Sequence, residues 1–148
     1  MRAKKLSWRE VHALSKTLAR KVRRSAFAPN CLIGITVGGL VPLALVADAL
    51  KTKDVVTISA RSYQKKRQGK LHVTALPKID LRGKRVLLVD EIADRGTTLK
   101  YLAALIKNKY KAKEVRTATL VVNTKNCTFM PDFFVLGTRI WIVFPWDT

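Results

Sequence analysis

Two hydrophobic rhythms alternate along the chain. Val11, Leu14, Leu18 and Val22 recur at helical spacing behind Ser7-Trp8-Arg9-Glu10. That quartet is a capping box, in which Ser and Glu satisfy the first free N–H groups of a helix. The spacing predicts a helix to about Arg24, and Pro29-Asn30 breaks the chain after it. CLIGITV, residues 31–37, is a continuous apolar run and reads as a buried strand, closed by a Gly38-Gly39 turn. VPLALVADALK, residues 41–51, predicts a helix with Pro42 in its first turn, where proline is tolerated. VVTISA, residues 55–60, is β-branched and predicts a strand, and weaker strand character returns in LHVTAL, residues 71–76. KRVLLVD, residues 84–90, is a strong buried strand. TTLKYLAALIKNKY, residues 97–110, is a helix with Leu99, Leu102, Leu105 and Ile106 on one face. EVRTATLVV, DFFVLG and WIVF read as further strands.

Strands alternating with helices imply an α/β fold: a mostly parallel sheet flanked by helices on both faces. Ligands of such sheets bind outside the carboxyl ends of the strands. Asp90 and Glu91 stand at one such end, and Gly38-Gly39 at another.

Composition narrows the picture. A chain of 148 residues fits one domain with one substantial core, and 48% hydrophobic residues exclude a disordered tail. The longest apolar stretch, residues 40–47, contains Pro42 and is too short to span a bilayer. The basic N-terminus lacks the apolar region of a signal peptide. A cytoplasmic protein with no membrane association is expected. Cys31 and Cys127 form no C-x-x-C pair, and His12 and His72 lie far from both in sequence, so the pattern of a zinc site is absent. The charge is unusual: 29 Lys and Arg against 10 Asp and Glu, a net +19. It predicts attraction to polyanions, including weak, sequence-independent binding of nucleic acid.

Against that background the acids of VLLVDEIADRGTT, residues 86–98, stand out. The helix after Asp94 begins near Gly96 or Thr97, and its free N–H groups and positive dipole end suit a phosphate, with Thr97 and Thr98 adding hydroxyl donors. Carboxylates repel phosphate but accept hydrogen bonds from hydroxyls. The stretch therefore suits a ligand with a phosphate at one end and a diol beside it, a ribose 5-phosphate. A solvated strand-to-helix loop is the plainer alternative.

VLLVDEIADRGTT closely resembles the motif with which type I phosphoribosyltransferases bind 5-phosphoribosyl 1-pyrophosphate (PRPP). WIVFPWD, residues 141–147, resembles the base-binding segment of the xanthine-guanine type, and LSWREV and VGGLVP are similar to theirs too. The resemblance implies the type I phosphoribosyltransferase fold over residues 1–148 as a single domain, with a small C-terminal base-binding hood. It implies a Mg²⁺-dependent displacement of pyrophosphate from PRPP by a purine, with the metal held mainly by PRPP, and a homodimer or homotetramer. Asp90 and Glu91 would hold the ribose hydroxyls, Glu91 departing from the commoner Asp. Asp94 would be the general acid or base near N7 of the purine, and Arg95, Gly96, Thr97 and Thr98 would cradle the 5′-phosphate.

Thr36, Val37, Gly38 and Gly39 match the pyrophosphate loop, but Val37 stands where the family usually has Arg or Lys. Another basic residue would then have to supply that charge. The basic stretch RSYQKKRQGK, residues 61–70, lies where the family has a mobile active-site loop, and Ser62-Tyr63 matches a Ser-Tyr pair there. Trp141 and Ile142 would flank the purine, with Asp147 close by. A lysine that donates to the 6-oxo group should fall in VVNTKN, where Lys125 is the one lysine and Asn123 the alternative occupant. The leading reading is a phosphoribosyltransferase for hypoxanthine, guanine or xanthine. The other readings are a PRPP- or nucleotide-responsive nucleic-acid regulator on the same fold, favoured by the charge, and an adenine-specific enzyme.

Overall fold

The computed structural model describes residues 2–63 and 70–147. A short strand, β1 (Ala3–Lys5), leads into α1 (Trp8–Arg24). The chain continues through β2 (Cys31–Thr36), α2 (Leu40–Leu50), β3 (Val55–Tyr63), β4 (Lys70–Ala75) and β5 (Arg85–Ala93). It closes with α3 (Thr97–Lys109), β6 (Glu114–Asn123), β7 (Phe133–Thr138) and β8 (Trp141–Val143). The capping box of α1 forms as expected: Ser7 Oγ accepts from the Glu10 N–H at 3.1 Å, and Glu10 Oε2 accepts from the Ser7 N–H at 2.8 Å.

The main sheet has the strand order β4-β3-β2-β5-β6-β7. Its neighbours are parallel except β3 and β4, which are antiparallel. The chain leaves β2 outward to β3, then returns to lay β5 on the other side of β2 and proceeds to β6. Right-handed crossovers in opposite directions place their helices on opposite faces. α2 accordingly packs with α1 on one face, and α3 covers the other. The carboxyl ends of β2 and β5 thus form the switch point where such sheets open a crevice.

The alternation along β5 shows how both faces are buried. Leu87 and Val89 join Val11, Leu18, Val22 and Val46 of the helices α1 and α2. Val86 and Leu88 join Leu99, Leu102 and Ile106 of α3. A strand buried on both sides reads as an unbroken apolar run, which is why the sequence predicted it so clearly.

Three features depart from expectation. β5 continues past Asp90 to Ala93, with Ile92 paired to Val121 and Ala93 to Val122, so Asp90 and Glu91 lie within the strand and not at its end. β3 extends beyond residue 60 to Tyr63, its backbone paired with β4. The β1 strand carries no hydrophobic signal, all three of its residues being exposed, yet it pairs with β8 in a separate parallel sheet, Ala3 opposite Trp141. No described helix is long and apolar enough to cross a membrane.

Candidate active site

One cavity of about 360 Å³ opens at the switch point, lined by Ile35, Thr36, Val37, Gly38, Ala60, Arg61, Asp90, Glu91 and Thr98. Three backbone elements build it. The first is the turn from β2 into α2, where the N–H of Gly39 donates to Ile35 O at 2.8 Å and that of Leu40 to Val37 O at 3.0 Å. A Cβ on Gly39 would lie 2.6 Å from Ile35 O and 2.8 Å from Val89 O, so only glycine lets the turn sit this close to β5. Thr36 Oγ1 and Ser59 Oγ share a hydrogen bond of 2.7 Å that ties the turn to β3.

The second element is β5. Successive strand residues point to opposite faces, so Asp90 lies on the α3 side and Glu91 on the side of α1 and α2. Asp90 Oδ1 accepts from the Glu91 N–H at 2.8 Å. Burial pushes the Asp90 carboxyl up to about 8, the Glu91 charge adding to the rise and that backbone hydrogen bond opposing it. Burial likewise raises Glu91 to about 7, opposed by a hydrogen bond from Trp146 and aided by the charge of Asp147. The Trp146 indole N–H donates to Glu91 Oε2 at 2.7 Å. The other oxygen, Oε1, occupies the space that a Cβ on Gly38 would need.

The third element is the loop into α3. Gly96 is the N-cap, with φ 84°, and no side chain caps the helix. The N–H groups of its first turn are left for an outside acceptor. A Cβ on Gly96 would overlap Phe129 O, so glycine is required twice over, by conformation and by space. The segment 123–128 braces this loop: Thr128 donates to Arg95 O from its N–H at 3.0 Å and from its hydroxyl at 3.2 Å. Asp94 Oδ1 accepts from Asn123 Nδ2 at 2.9 Å and Asn126 Nδ2 at 3.4 Å. Asn123 Oδ1 in turn accepts from the N–H groups of Lys125 and Asn126.

The fold therefore brings Thr36, Val37, Gly38, Asp90, Glu91 and Thr98 to one cavity, with Gly39 behind the turn. Arg95 and Thr97 are exposed beside the start of α3. Lys125 is exposed, and Asn123, not Lys125, touches Asp94. Trp141 is 56% exposed on β8, whereas Ile142 is packed in the core beside Phe144. Asp147 Oδ2 accepts from the Phe144 N–H at 2.8 Å. Ser62 and Tyr63 end β3. The rest of the expected active-site loop falls largely on residues 64–69, outside the described residues.

Sequence reading held Arg61 only as part of the basic stretch 61–70 and Trp146 only as part of WIVFPWD, and singled out neither. Arg61 is submerged in a basic run, and only the continuation of β3 beyond residue 60 would have aimed it at the site. Trp146 stacks on Phe144 at 4.9 Å and 13° and meets Trp8 at 5.8 Å, a pattern indistinguishable in sequence from plain core.

Residues 6–148 match the family described as the phosphoribosyl transferase domain. The chain belongs to that family. Xanthine-guanine phosphoribosyltransferase of Idiomarina loihiensis is 32% identical over 144 residues, covering 96% of this chain and 85% of that enzyme. The enzyme of the same name from Cereibacter sphaeroides is 30% identical over 148 residues, at 96% and 85% coverage. Among solved structures, a purine phosphoribosyltransferase from Pyrococcus horikoshii superposes with a TM-score of 0.88 at 32% identity, covering 100% of this chain and 95% of that one. A Helicobacter pylori xanthine-guanine-hypoxanthine phosphoribosyltransferase gives 0.87 at 26% identity, covering 99% and 95%. In this phosphoribosyltransferase, then, the three elements around the cavity belong to the fold shared along the whole chain.

Proposed function

We propose that this phosphoribosyltransferase joins a 6-oxopurine, whether hypoxanthine, guanine or xanthine, to PRPP in purine salvage, releasing pyrophosphate and a nucleoside 5′-monophosphate. One observation carries the reading: a single cavity at the switch point unites a glycine turn, a half-buried acidic pair and the uncapped start of a helix. The names of the relatives at 30–32% identity support the purine as acceptor.

Each element has a task in that reaction. The first-turn N–H groups of α3 and the Thr98 hydroxyl bind the 5′-phosphate. The N–H groups of the Val37-Gly38 turn face the pyrophosphate. Asp90 and Glu91 accept from the ribose hydroxyls, fixing C1 between the leaving group and the base. As the purine nitrogen bonds to C1, the bond from C1 to the pyrophosphate oxygen breaks, and Asp94 takes the proton released by the base at N7. Asn123 holds the Asp94 carboxylate in place for this transfer. The exposed Trp141 of β8 borders the base, and Ile142, packed in the core on the opposite face, anchors that strand.

Mg²⁺ fits this donor set. Asp90 and Glu91 are hard oxygen donors lining one cavity, the kind of ligand Mg²⁺ takes. Among the described residues no cluster of three or more metal-ligating side chains occurs, so the remaining ligands of an ion would be phosphate oxygens and water. When bound, the ion neutralises charge growing on the departing pyrophosphate.

The test is an assay of single purine bases with PRPP and Mg²⁺. Nucleotide should form with at least one 6-oxopurine and not with adenine. Product from adenine alone would move the enzyme to the adenine class, and no product from any base would remove catalysis.

A second property rests on a different observation. Lys78, Arg82, Lys109 and Lys111 line an open hollow of about 610 Å³ with Ile79 and Tyr110. It lies at the amino ends of β5 and β6, remote from the switch point. This surface supports weak, sequence-independent binding of nucleic acid, incidental to the enzyme.

A further inference from the structure

Charge is unevenly supplied around the cavity. Among the described residues its lining holds two carboxylates, Asp90 and Glu91, and one cation, Arg61. The helix end that faces the 5′-phosphate has free N–H groups and the neighbouring Arg95. The opposite end, the turn after β2, presents Val37, which is 65% exposed and carries no charge. Glu91 Oε1 lies directly against this turn at Gly38, so an anion arriving there meets a carboxylate. Arg61 stands on the same side of the cavity. It follows Ser59 by two residues on β3, and Ser59 is the register partner of Thr36 and bonds its hydroxyl at 2.7 Å. The pairing of β3 with β4 shifts register between Ser59 and Ala60, and just past that shift Arg61 lines the cavity together with Thr36, Val37 and Gly38 of the turn. None of the ion pairs among the described residues uses Arg61.

We infer that Arg61 is the pyrophosphate-binding cation of this enzyme, delivered from β3 in place of a charge on the β2 turn. The inference rests on the reading of the cavity as a PRPP site. A guanidinium presents a planar fork of donors that matches phosphate oxygens in pairs, and it remains charged throughout the working range of pH. It offsets the repulsion between the Glu91 carboxylate and the diphosphate, and it stays with the leaving group as charge accumulates there. Val37 is then no defect: its side chain leaves the approach open while its backbone N–H serves the same anion.

Calorimetric titration of the full chain with Mg²⁺-pyrophosphate and, separately, with a nucleoside 5′-monophosphate tests this. Arg61→Gln should weaken pyrophosphate about tenfold or more, the scale of one charge-assisted hydrogen bond, and leave the monophosphate within about twofold. Arg61 is exposed, so a thermal melt of the variant should match the parent. The double variant Val37→Lys with Arg61→Gln should recover most of the affinity, because the charge returns from the other side of the same pocket. Unchanged pyrophosphate affinity in Arg61→Gln overturns the inference, as does equal weakening of both ligands. A parent protein that binds neither ligand refutes the PRPP reading itself, before any variant is compared.

Discussion

The indole N–H of Trp146 donates to Glu91 Oε2 at 2.7 Å, joining the C-terminal segment to the acidic pair of β5. Glu91 is one methylene longer than its neighbour Asp90, and the bond fixes where that extra reach goes. The carboxylate is held against Gly38 with its other oxygen, while Trp146 is itself clamped between Trp8 and Phe144. The aromatic stack thus positions an acid that lines the cavity.

Trp146→Phe keeps an aromatic ring over Phe144 and removes the donor together with part of the ring surface. A hydrogen bond to a charged group is worth about 1.5–3 kcal/mol, so the KM for PRPP should rise roughly tenfold while kcat falls much less. Removing the N–H also removes the one influence that lowers Glu91, so the acid limb of kcat/KM should move to higher pH. Steady-state kinetics across pH separate this from a packing defect, which would change kcat and KM together and leave the limb in place.

Asp94 is predicted to act in the chemistry and not in binding. Asp94→Asn should keep PRPP affinity yet lose about 10²-fold or more in kcat, the usual contribution of a positioned acid or base. Asn123→Ala should give a smaller loss, because Asn126 still donates to the same oxygen. An Asp94→Asn enzyme with parental kcat would take this carboxylate out of the mechanism.

Much of this was legible before the fold was known, and the boundary of what was legible is physical. Period-2 and period-3.6 patterns located β2, β5 and α3 because their residues are buried on defined faces. The start of α3 at Gly96 was legible because a helix start has fixed chemical needs, whereas Asp94 was singled out by resemblance to a family motif. β1 was not, since Ala3–Lys5 are held by backbone pairing to β8 and bury nothing. The division of Asp90 and Glu91 between two faces was missed because an adjacent acidic pair gives no sign that the strand runs on to Ala93. Trp146 and Arg61 depend on the meeting of segments far apart in the chain, Trp146 with Glu91 and Arg61 with the β2 turn.

The acidic pair should make the free protein less stable as pH rises. Both carboxyls are raised, Asp90 to about 8 and Glu91 to about 7, above the roughly 4 of an unfolded chain. The unfolded chain releases these protons first, so the fold is favoured by them below about pH 4 and loses that contribution as pH climbs through 7 and 8. Asp90→Asn cannot ionise. Without ligand it should melt higher than the parent at about pH 9 and little differently at about pH 4. It should also bind PRPP more weakly, a trade of stability against function. Thermal melts at the two pH values decide it: a variant no more stable than the parent at the higher pH would mean that Asp90 is not strained by burial.

The basic hollow at the amino ends of the strands carries the last prediction. Not all of the net +19 is available to a polyanion. Lys21 Nζ donates to Phe134 O at 2.7 Å, Arg23 to Ala49 O, and Lys107 to Lys113 O at 2.5 Å, so these cations cap carbonyls of the fold. Arg82 is paired with Asp80 at 3.1 Å, but on an exposed surface that restrains it little. Lys78, Lys109 and Lys111 line the hollow with it. Duplex DNA of any sequence should bind with a Kd on the order of 10⁻⁴–10⁻⁶ M at physiological salt, weakening steeply as salt rises. Replacing Lys78, Lys109 and Lys111 by Glu should lower the slope of log affinity against log salt by about two to three, near 0.9 for each phosphate no longer neutralised. PRPP should not compete, because its cavity lies at the other end of β5. Fluorescence anisotropy at two salt concentrations, with and without PRPP, reads all three quantities. An unchanged slope would place the binding surface elsewhere on the molecule. Tight, sequence-selective binding that responds to PRPP would instead make nucleic acid a regulated partner of this enzyme.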